Sequence, residues 1–172
     1  MTLALLNNPR QVGTLYRDAV APAVSEAVLE EILEFSARDL TRERGGFLLG
    51  QPVEGSPALV VVQHFHPAVE ALGQATSLTF THESWSAVRR EVEQRFQGEK
   101  IVGWQHTHPG MGVFLSHYDR FIQQHFFALP WQVALVVDPR QQEFGFFHWR
   151  QGEIRDCGFL CVADAAGELQ GS

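Results

Sequence analysis

The chain has 172 residues, 45% of them hydrophobic, which is enough for one globular domain with a substantial core. Its 13 Lys and Arg residues are outnumbered by 20 Asp and Glu residues, and the net charge of −7 argues against nucleic acid as a partner. No uninterrupted apolar run approaches the roughly 18 residues of a membrane-spanning helix, so we expect no membrane partner either.

The compartment is indicated by the cysteines and by the first residues. Cys157 and Cys161 are the only cysteines, which suits a reducing environment better than a disulfide-stabilised secreted domain. Residues 1–6 lack the basic segment and cleavage site of a signal peptide. We therefore expect a cytoplasmic protein, and we interpret both cysteines as small apolar residues of a C-terminal strand or helix.

Helical and strand patterns alternate in the first half of the chain. Ser25 is a favourable N-cap for a helix that extends to about residue 40, with apolar residues on one face. Turn residues at 55–57 separate two apolar runs that read as strands. The predicted strands of this half lie at about residues 45–50, 58–65 and 77–81.

The second half continues the α+β pattern. A helix is predicted from about residue 83 to 97, with Trp85, Val88, Val92 and Phe96 at helical spacing. Strands are predicted at residues 100–108, 131–137 and 144–149, with a helix from Ser116 between the first two. We expect one domain over residues 1–162 and a flexible C-terminal tail over residues 163–172.

The end of the predicted strand at residues 100–108 carries the most informative chemistry. Alternate side chains of a strand point to one face, so His106 and His108 project together while Thr107 points away. Two imidazoles at this spacing, with Cα atoms about 6.6 Å apart, can share one metal ion. Pro109 ends the strand pairing, and the glycines that follow let the chain turn back over the metal.

A helix is predicted to begin at Ser116, with Phe121, Ile122 and Phe126 as its apolar positions. Asp119 lies in the first turn, where its carboxylate is aimed back toward the strand end. By itself, Ser-x-x-Asp is typical of a capping box, which needs no metal. Together with His-x-His-Pro it supplies a third ligand, and three ligands with an open fourth position are typical of a catalytic zinc site.

Other histidines are rival candidates. A second His-x-His-Pro, at His64 and His66, has the same spacing but lacks a Ser-x-x-Asp and a glycine-rich turn, so we interpret both as hydrogen-bonded or exposed. His82, His125 and His148 are interpreted as caps or surface residues. A nucleobase deaminase also pairs zinc with a glutamate, but its His-x-Glu and Pro-Cys-x-x-Cys patterns are absent from the sequence.

The segment from about residue 101 to 139, with its Gly-Trp-Gln-His-Thr-His-Pro-Gly-Met-Gly core, resembles the JAMM (MPN+) metalloproteases, including their compact prokaryotic members. The motif of that family is a Glu, then His-x-His-Pro, then Ser-x-x-Asp. The upstream Glu stands before Gly and an apolar run, and Glu43 matches it. The resemblance covers about residues 20–150. It implies an MPN fold, a curved mixed β-sheet flanked by helices with cytidine-deaminase-like layering.

The resemblance also implies the roles of the motif residues. His106, His108 and Asp119 would hold one Zn²⁺ per chain and leave the fourth position to water. Glu43 would act as the general base that takes a proton from this water and later delivers it to the leaving amine. Ser116 would stabilise the oxyanion of the tetrahedral intermediate. Without the downstream motif, Glu43 would be interpreted as an ordinary exposed carboxylate.

The family further implies a substrate class. The leading hypothesis is an isopeptidase that cleaves after the Gly-Gly-like tail of a ubiquitin-like protein, with E1- or E2-like enzymes as possible partners. The candidate substrate flap is residues 67–81, which begin with Pro67 and end with Thr81. An alternative is release of a small amine or amino acid from a sulfur-carrier protein of ubiquitin fold. A second alternative is a non-catalytic MPN scaffold, which usually lacks a ligand that this chain retains.

Overall fold

A computed structural model describes residues 6–164 of the chain. Within these residues there are three helices, a nine-stranded mixed sheet and a separate two-stranded sheet, which confirms the α+β class. The helices are α1 (Glu26–Ala37), α2 (His82–Arg95) and α3 (His117–Phe126). The strands are β1 (Arg10–Val12), β2 (Ala21–Ser25), β3 (Gly45–Val53), β4 (Leu59–Pro67), β5 (Leu72–Gly73), β6 (Leu78–Thr79), β7 (Lys100–Thr107), β8 (Val133–Asp138), β9 (Glu143–Arg150), β10 (Glu153–Cys157) and β11 (Phe159–Val162).

The first helix begins where the sequence predicts and ends earlier. The Ser25 hydroxyl accepts a hydrogen bond from the backbone N–H of Val28 at 3.2 Å, which caps α1. The helix ends at Ala37 and not near residue 40. The Asp39 carboxylate accepts hydrogen bonds from both the backbone and the hydroxyl of Thr41, a local turn that competes with further helix.

The large sheet is strongly curled. Its strand order is β1-β11-β2-β4-β3-β7-β8-β9-β10, with parallel pairs at β11–β2, β2–β4 and β7–β8. Strands β10 and β11 lie at or next to opposite edges, yet only Gly158 separates them in the chain. The sheet must therefore bend until its two edges approach each other. A Cβ at Gly158 would lie 2.3 Å from the carbonyl oxygen of Val12, so this junction requires glycine.

Five strands were given no predicted range, namely β1, β2, β5, β10 and β11, of which β5 has only two residues. The other four are short, β2 contains a proline, and β10 mixes charged and apolar residues without strict alternation. In addition, β1, β2 and β11 pair with strands that are distant in the chain, which local patterns do not report. Cys157 ends β10 and Cys161 lies in β11, both as free thiols, so of the predicted C-terminal strand or helix the structure has strands. Burial raises the pKa of the Cys157 thiol to about 12.

The helices cover both faces of the sheet, so the strands bury alternate side chains on opposite sides. Leu48 of β3 belongs to the core that contains Phe35 of α1. Its neighbour Phe47 belongs to a second core, with Val88 of α2 and Ile122 of α3. The long central strands β3, β7 and β8 are thus held from two sides, and their ends provide a rigid base for a site.

The apolar positions predicted for α3 are partly wrong. Ile122 is buried, but Phe121 is 48% exposed and Phe126 is 50% exposed. The buried face of α3 instead carries Asp119, Ile122 and Gln123. The polar residues in this face indicate that α3 is oriented by the site it helps to build.

None of the helices within residues 6–164 is long and apolar enough to cross a membrane. The predicted single domain over residues 1–162 stays a prediction. Most of the predicted flexible tail, residues 165–172, lies outside the described part of the chain.

Candidate metal centre

The two motif histidines are fixed by the ends of neighbouring strands. His106 lies within β7, paired with Gly45 of β3 on one side and Val136 of β8 on the other. His108 comes just after β7, and its backbone N–H donates to the carbonyl oxygen of Val137 at 2.8 Å. Both imidazoles are buried on the same face of the sheet.

Three potential ligand atoms converge at this point. The Nε2 atoms of His106 and His108 are 3.1 Å apart, and Asp119 Oδ2 lies 3.1 Å from the first and 3.0 Å from the second. Ligand atoms at about 2.0–2.2 Å from a tetrahedral zinc ion lie roughly 3.3–3.6 Å apart, so these atoms need to separate by only a few tenths of an ångström. Two imidazole nitrogens and one carboxylate oxygen also form a donor set that zinc takes in catalytic sites. The residues present therefore fit the metal.

Asp119 is placed by the start of α3. The Ser116 hydroxyl oxygen accepts from the backbone N–H of Asp119 at 3.1 Å, and Asp119 Oδ2 accepts from the backbone N–H of Ser116 at 2.9 Å. This reciprocal capping box and the convergence on the histidines are both present, so the two interpretations of Ser-x-x-Asp do not exclude each other. Burial alone would raise the pKa of Asp119, but His106, His108 and the Ser116 N–H hold it well below its usual range.

Glu43 lies beside the three converging atoms. It is only 2% exposed, and its Oε2 atom is 4.0 Å from His108 Nε2. Its Oε1 atom has no hydrogen-bond partner among the described residues. Burial raises the pKa of Glu43 to about 7, with His108 opposing and Asp119 adding to the rise. The expectation of an exposed carboxylate, which would hold without the downstream motif, does not describe this residue.

Backbone contacts on two sides hold Glu43 in place. Its N–H donates to the carbonyl oxygen of Gln74 at 2.6 Å. The next residue, Arg44, accepts at its carbonyl from the N–H of Thr107 at 2.8 Å and donates its own N–H to the Thr107 hydroxyl at 2.9 Å. Thr107 thus joins the Glu43 segment to the end of β7.

The predicted flap, residues 67–81, lies against this segment. It contains the two-stranded sheet of β5 and β6, where Leu72 pairs with Thr79 and Gly73 with Leu78. A Cβ at Gly73 would lie 1.9 Å from the carbonyl oxygen of Glu43, so the flap can approach this closely only with glycine there. At its other end, the hydroxyls of Thr79 and Tyr118 are 3.3 Å apart. The flap therefore spans from Glu43 to the exposed side of α3.

Sequence reasoning missed two residues that support the ligands. Trp104 stacks on His106 and donates its Nε1–H to Gln123 Oε1 at 2.6 Å. Strand alternation could have found Trp104, because it lies two residues before His106 on the same face. Asp138 is a fully buried carboxylate at the end of β8. Two of its four backbone partners, Gly110 and Gly112, are more than 25 residues away in sequence, and no local pattern indicates them.

The rival histidines are not part of this cluster. His64 Nδ1 lies 2.8 Å from Glu99 Oε2, a hydrogen-bonded arrangement that agrees with its interpretation. Within residues 6–164, the one group of at least three close metal-ligating side chains is Glu43, His106, His108 and Asp119. The interpretation of His148 as a cap or surface residue is wrong.

His148 is instead a buried strand residue. It lies in β9, is 1% exposed, and its Nδ1 atom is 2.7 Å from the carbonyl oxygen of Val20. Burial lowers the pKa of its imidazole, so the ring is held neutral as a core side chain.

Fold and site together define an α+β domain with a buried His-His-Asp-Glu group at the ends of its central strands. The chain belongs to the JAB1/Mov34/MPN/PAD-1 ubiquitin protease family, whose model matches residues 20–129. The predicted family and its MPN fold are confirmed. A solved structure, that of protein DSY2949 from Desulfitobacterium hafniense, has the same fold with a TM-score of 0.60 at 17% identity, covering 83% of this chain and 94% of that one.

Curated relatives have several names. The chain is 34% identical over 130 residues to the NAD(+) hydrolase TcpA of Theionarchaea archaeon (strain DG-70-1), covering 74% of this chain and 36% of that protein. It is 32% identical to the 26S proteasome non-ATPase regulatory subunit 14 of Drosophila melanogaster, covering 71% and 39%. It is 31% identical to the ubiquitin carboxyl-terminal hydrolase RPN11 of Saccharomyces cerevisiae, covering 71% and 40%. The matched region thus spans less than half the length of each of these relatives.

Proposed function

We propose that the protein is a zinc-dependent isopeptidase that cleaves the amide bond after the Gly-Gly-like tail of a ubiquitin-like protein. The observation that carries the proposal is the convergence of His106 Nε2, His108 Nε2 and Asp119 Oδ2 beside the buried carboxylate of Glu43. Relatives named as ubiquitin hydrolases support the substrate class.

The four clustered side chains have two roles, metal binding for three of them and proton transfer for Glu43. His106, His108 and Asp119 would hold one zinc ion. When bound, zinc supplies a Lewis acid that polarises the scissile carbonyl and makes water a better nucleophile at neutral pH. Glu43 remains outside this set, since its nearer oxygen is 4.0 Å from His108 Nε2 while the other three atoms lie within 3.1 Å of one another.

Glu43 is suited to transfer a proton in both directions. A group with a pKa of about 7 is both an effective acceptor and an effective donor near neutral pH. Its Oε1 atom is free to accept the proton of the attacking water. The protonated carboxyl then donates to the nitrogen of the leaving amine, which completes cleavage and regenerates the carboxylate.

Ser116 combines a structural contact with a catalytic role. Its oxygen accepts the Asp119 N–H, which leaves the hydroxyl proton available as a donor. A donor aimed at the oxyanion of the tetrahedral intermediate is worth about 10²–10³ in rate. We assign that role to the Ser116 hydroxyl.

The flap formed by residues 67–81 is the proposed binding surface for the substrate tail. An extended tail can pair with the edge of its short β5–β6 sheet by strand addition, which supplies backbone hydrogen bonds without sequence preference. The contact between Gly73 and the Glu43 carbonyl brings this edge next to the proposed base. A narrow cleft between this edge and the metal centre would favour a tail that ends in two glycines.

Two alternative functions differ from this proposal, one in the leaving group and the other in having no catalytic activity. A small amine or amino acid, released from a sulfur-carrier protein, would leave by the same proton transfer from Glu43, so the leaving group distinguishes this function. A non-catalytic scaffold is disfavoured because all four motif side chains are present and lie together. A cytoplasmic location and E1- or E2-like partner enzymes stay predictions.

The test uses matched conjugates of one ubiquitin-like protein with a Gly-Gly terminus. One conjugate carries a lysine side chain of a second protein, and the other carries a single amino acid such as cysteine. Mass spectrometry after incubation with the zinc-loaded protein should show cleavage of the protein conjugate and none with Glu43→Gln. Preferential cleavage of the amino-acid conjugate would favour the sulfur-carrier alternative, and absence of both cleavages with bound zinc would favour the scaffold.

A further inference from the structure

Asp138 is a fully buried carboxylate for which the proposed reaction has no direct use. It is the last residue of β8, next to Val137, whose carbonyl accepts the N–H of His108. A buried carboxylate is costly unless it is well hydrogen-bonded, so its partners indicate what it is for.

All four partners of Asp138 are backbone N–H groups. Oδ1 accepts from Gly110 at 2.9 Å, Arg140 at 3.0 Å and Gln141 at 3.1 Å, and Oδ2 accepts from Gly112 at 2.7 Å. Two of these donors are in its own turn, but Gly110 and Gly112 belong to the loop that follows His108. One side chain therefore joins the ends of two parallel strands.

The two glycines have the backbone conformation that these bonds require. Gly110 has φ 76° and Gly112 has φ 88°, in the left-handed region where other residues are strained. A second contact reinforces the loop, since the Gln141 side chain donates to the carbonyl oxygen of Gly110 at 3.2 Å. The loop path between His108 and α3 is thus fixed from the β8–β9 side.

This loop connects two of the three proposed ligands. His106 is held within β7 by neighbours on both sides, whereas His108 lies beyond the last strand residue and Asp119 follows the loop. Their separation depends on how the chain travels from residue 109 to residue 116. Contacts that fix the loop consequently fix the spacing of His108 and Asp119.

We infer that Asp138 is a positioning residue for the metal centre, which acts by holding the Gly110–Gly112 backbone and so keeping His108 and Asp119 in register for one ion. This inference rests on the proposed function. Groups that orient metal ligands from outside the coordination sphere typically contribute about 10–100-fold in metal affinity.

The first variant is Asp138→Asn, which keeps the shape of the side chain but replaces one acceptor oxygen with a donor. We expect the zinc dissociation constant, measured by competition with a chelator, to rise by about 10–100-fold. The visible absorption spectrum of the cobalt-substituted protein should change as well, since it reports ligand geometry. A folded variant with affinity within twofold of wild type and an unchanged spectrum would overturn the inference.

A pair of glycine variants tests the inference independently if Asp138→Asn does not fold. Gly112 and Gly98 both have φ 88°, and neither has an atom within 4 Å of an added Cβ. Gly112→Ala and Gly98→Ala therefore impose the same strain, but only Gly112 bonds to Asp138. We expect weaker zinc binding and an altered cobalt spectrum in Gly112→Ala alone, and equal behaviour of the two would contradict the inference. Wild-type protein that binds no zinc would instead refute the proposed function.

Discussion

Trp104 lies flat against His106, with ring centroids 4.4 Å apart and an angle of 12° between the planes. The Nδ1 atom of His106 has no hydrogen-bond partner among the described residues, so stacking on Trp104 is the contact that orients this imidazole on the side away from Asp119 and His108. The indole is itself fixed by its bond to Gln123, whose amide also donates to the carbonyl oxygens of Phe127 and Gln132.

Replacing Trp104 should separate the stacking from the hydrogen bond. Trp104→Phe keeps an aromatic face but leaves the buried Gln123 oxygen without its donor, which costs about 1–3 kcal/mol of stability. Trp104→Leu also removes the stacking. We expect zinc affinity to fall clearly in Trp104→Leu and only slightly in Trp104→Phe, measured by chelator competition alongside urea unfolding. Equal zinc affinity in both variants would show that stacking does not orient His106.

Loss of a ligand should remove metal and activity together. Asp119→Asn keeps the oxygen that accepts the Ser116 N–H, so the protein should fold, but the neutral amide is a poor zinc ligand. Loss of a group outside the coordination sphere typically lowers metal affinity by about 10–100-fold, and we expect zinc affinity to fall by more than this. Asp18→Asn, which changes an exposed carboxylate that is not part of the cluster, is the control and should retain full zinc content. A zinc-replete Asp119→Asn protein would contradict the proposed ligand set.

Two substitutions at Ser116 should separate its helix-capping role from its catalytic role. Ser116→Ala removes the cap and should cost about 1 kcal/mol of stability, whereas Ser116→Gly should cost only a few tenths. Both remove the hydroxyl donor, so kcat should fall by about 10²–10³ in each. Thermal unfolding and steady-state kinetics on the same preparations check this. If kcat tracks stability across the two variants, Ser116 acts only as a cap.

Stability of the metal-free protein should depend on the ionisation of Glu43. Its pKa rises from 4.5 to about 7 on folding, so the folded state binds the proton more tightly than the unfolded state. This contribution is fully present below about pH 4.5 and is lost as the pH rises through about 7, with a total of up to about 3 kcal/mol. Burial also lowers the pKa of His106, and Asp119 raises that of His108, so the comparison must be made against a variant that changes Glu43 alone.

Glu43→Gln isolates that contribution, because glutamine does not ionise. We compare the free energy of unfolding of wild type with that of the variant. The value for wild type minus the value for the variant should decrease between pH 4.5 and 7, and at pH 7.5 the variant should be the more stable of the two proteins. Urea unfolding at several pH values, without metal, gives this difference. A difference that stays constant with pH would show that Glu43 is ionised throughout and is not held in a buried, proton-binding state.

Much of the site was predictable because its geometry follows from strand alternation. The positions of His106 and His108 depend only on β7 being a strand, and the motif spacing brings Asp119 to the next helix. The supporting residues were harder to predict. Asp138 bonds to Gly110 and Gly112, which are distant in sequence, and such contacts leave no local pattern.

The orientation of α3 shows how a functional residue can override an apolar pattern. Reading Phe121 as a core position placed the wrong face inward. Because Asp119 must face the cluster, the residues three and four positions later, Ile122 and Gln123, face inward with it, and Phe121 turns outward. Phe126, the last residue of the helix, contacts Trp85 and remains half exposed.

Diffraction at the zinc absorption edge from crystals grown with zinc tests the proposed ligand set directly. We expect one anomalous peak per chain, bounded by His106 Nε2, His108 Nε2 and Asp119 Oδ2, with the Glu43 carboxylate beside it and not bonded to the ion. A map without a peak at that position, or a peak elsewhere with these three side chains turned apart, would contradict this ligand set.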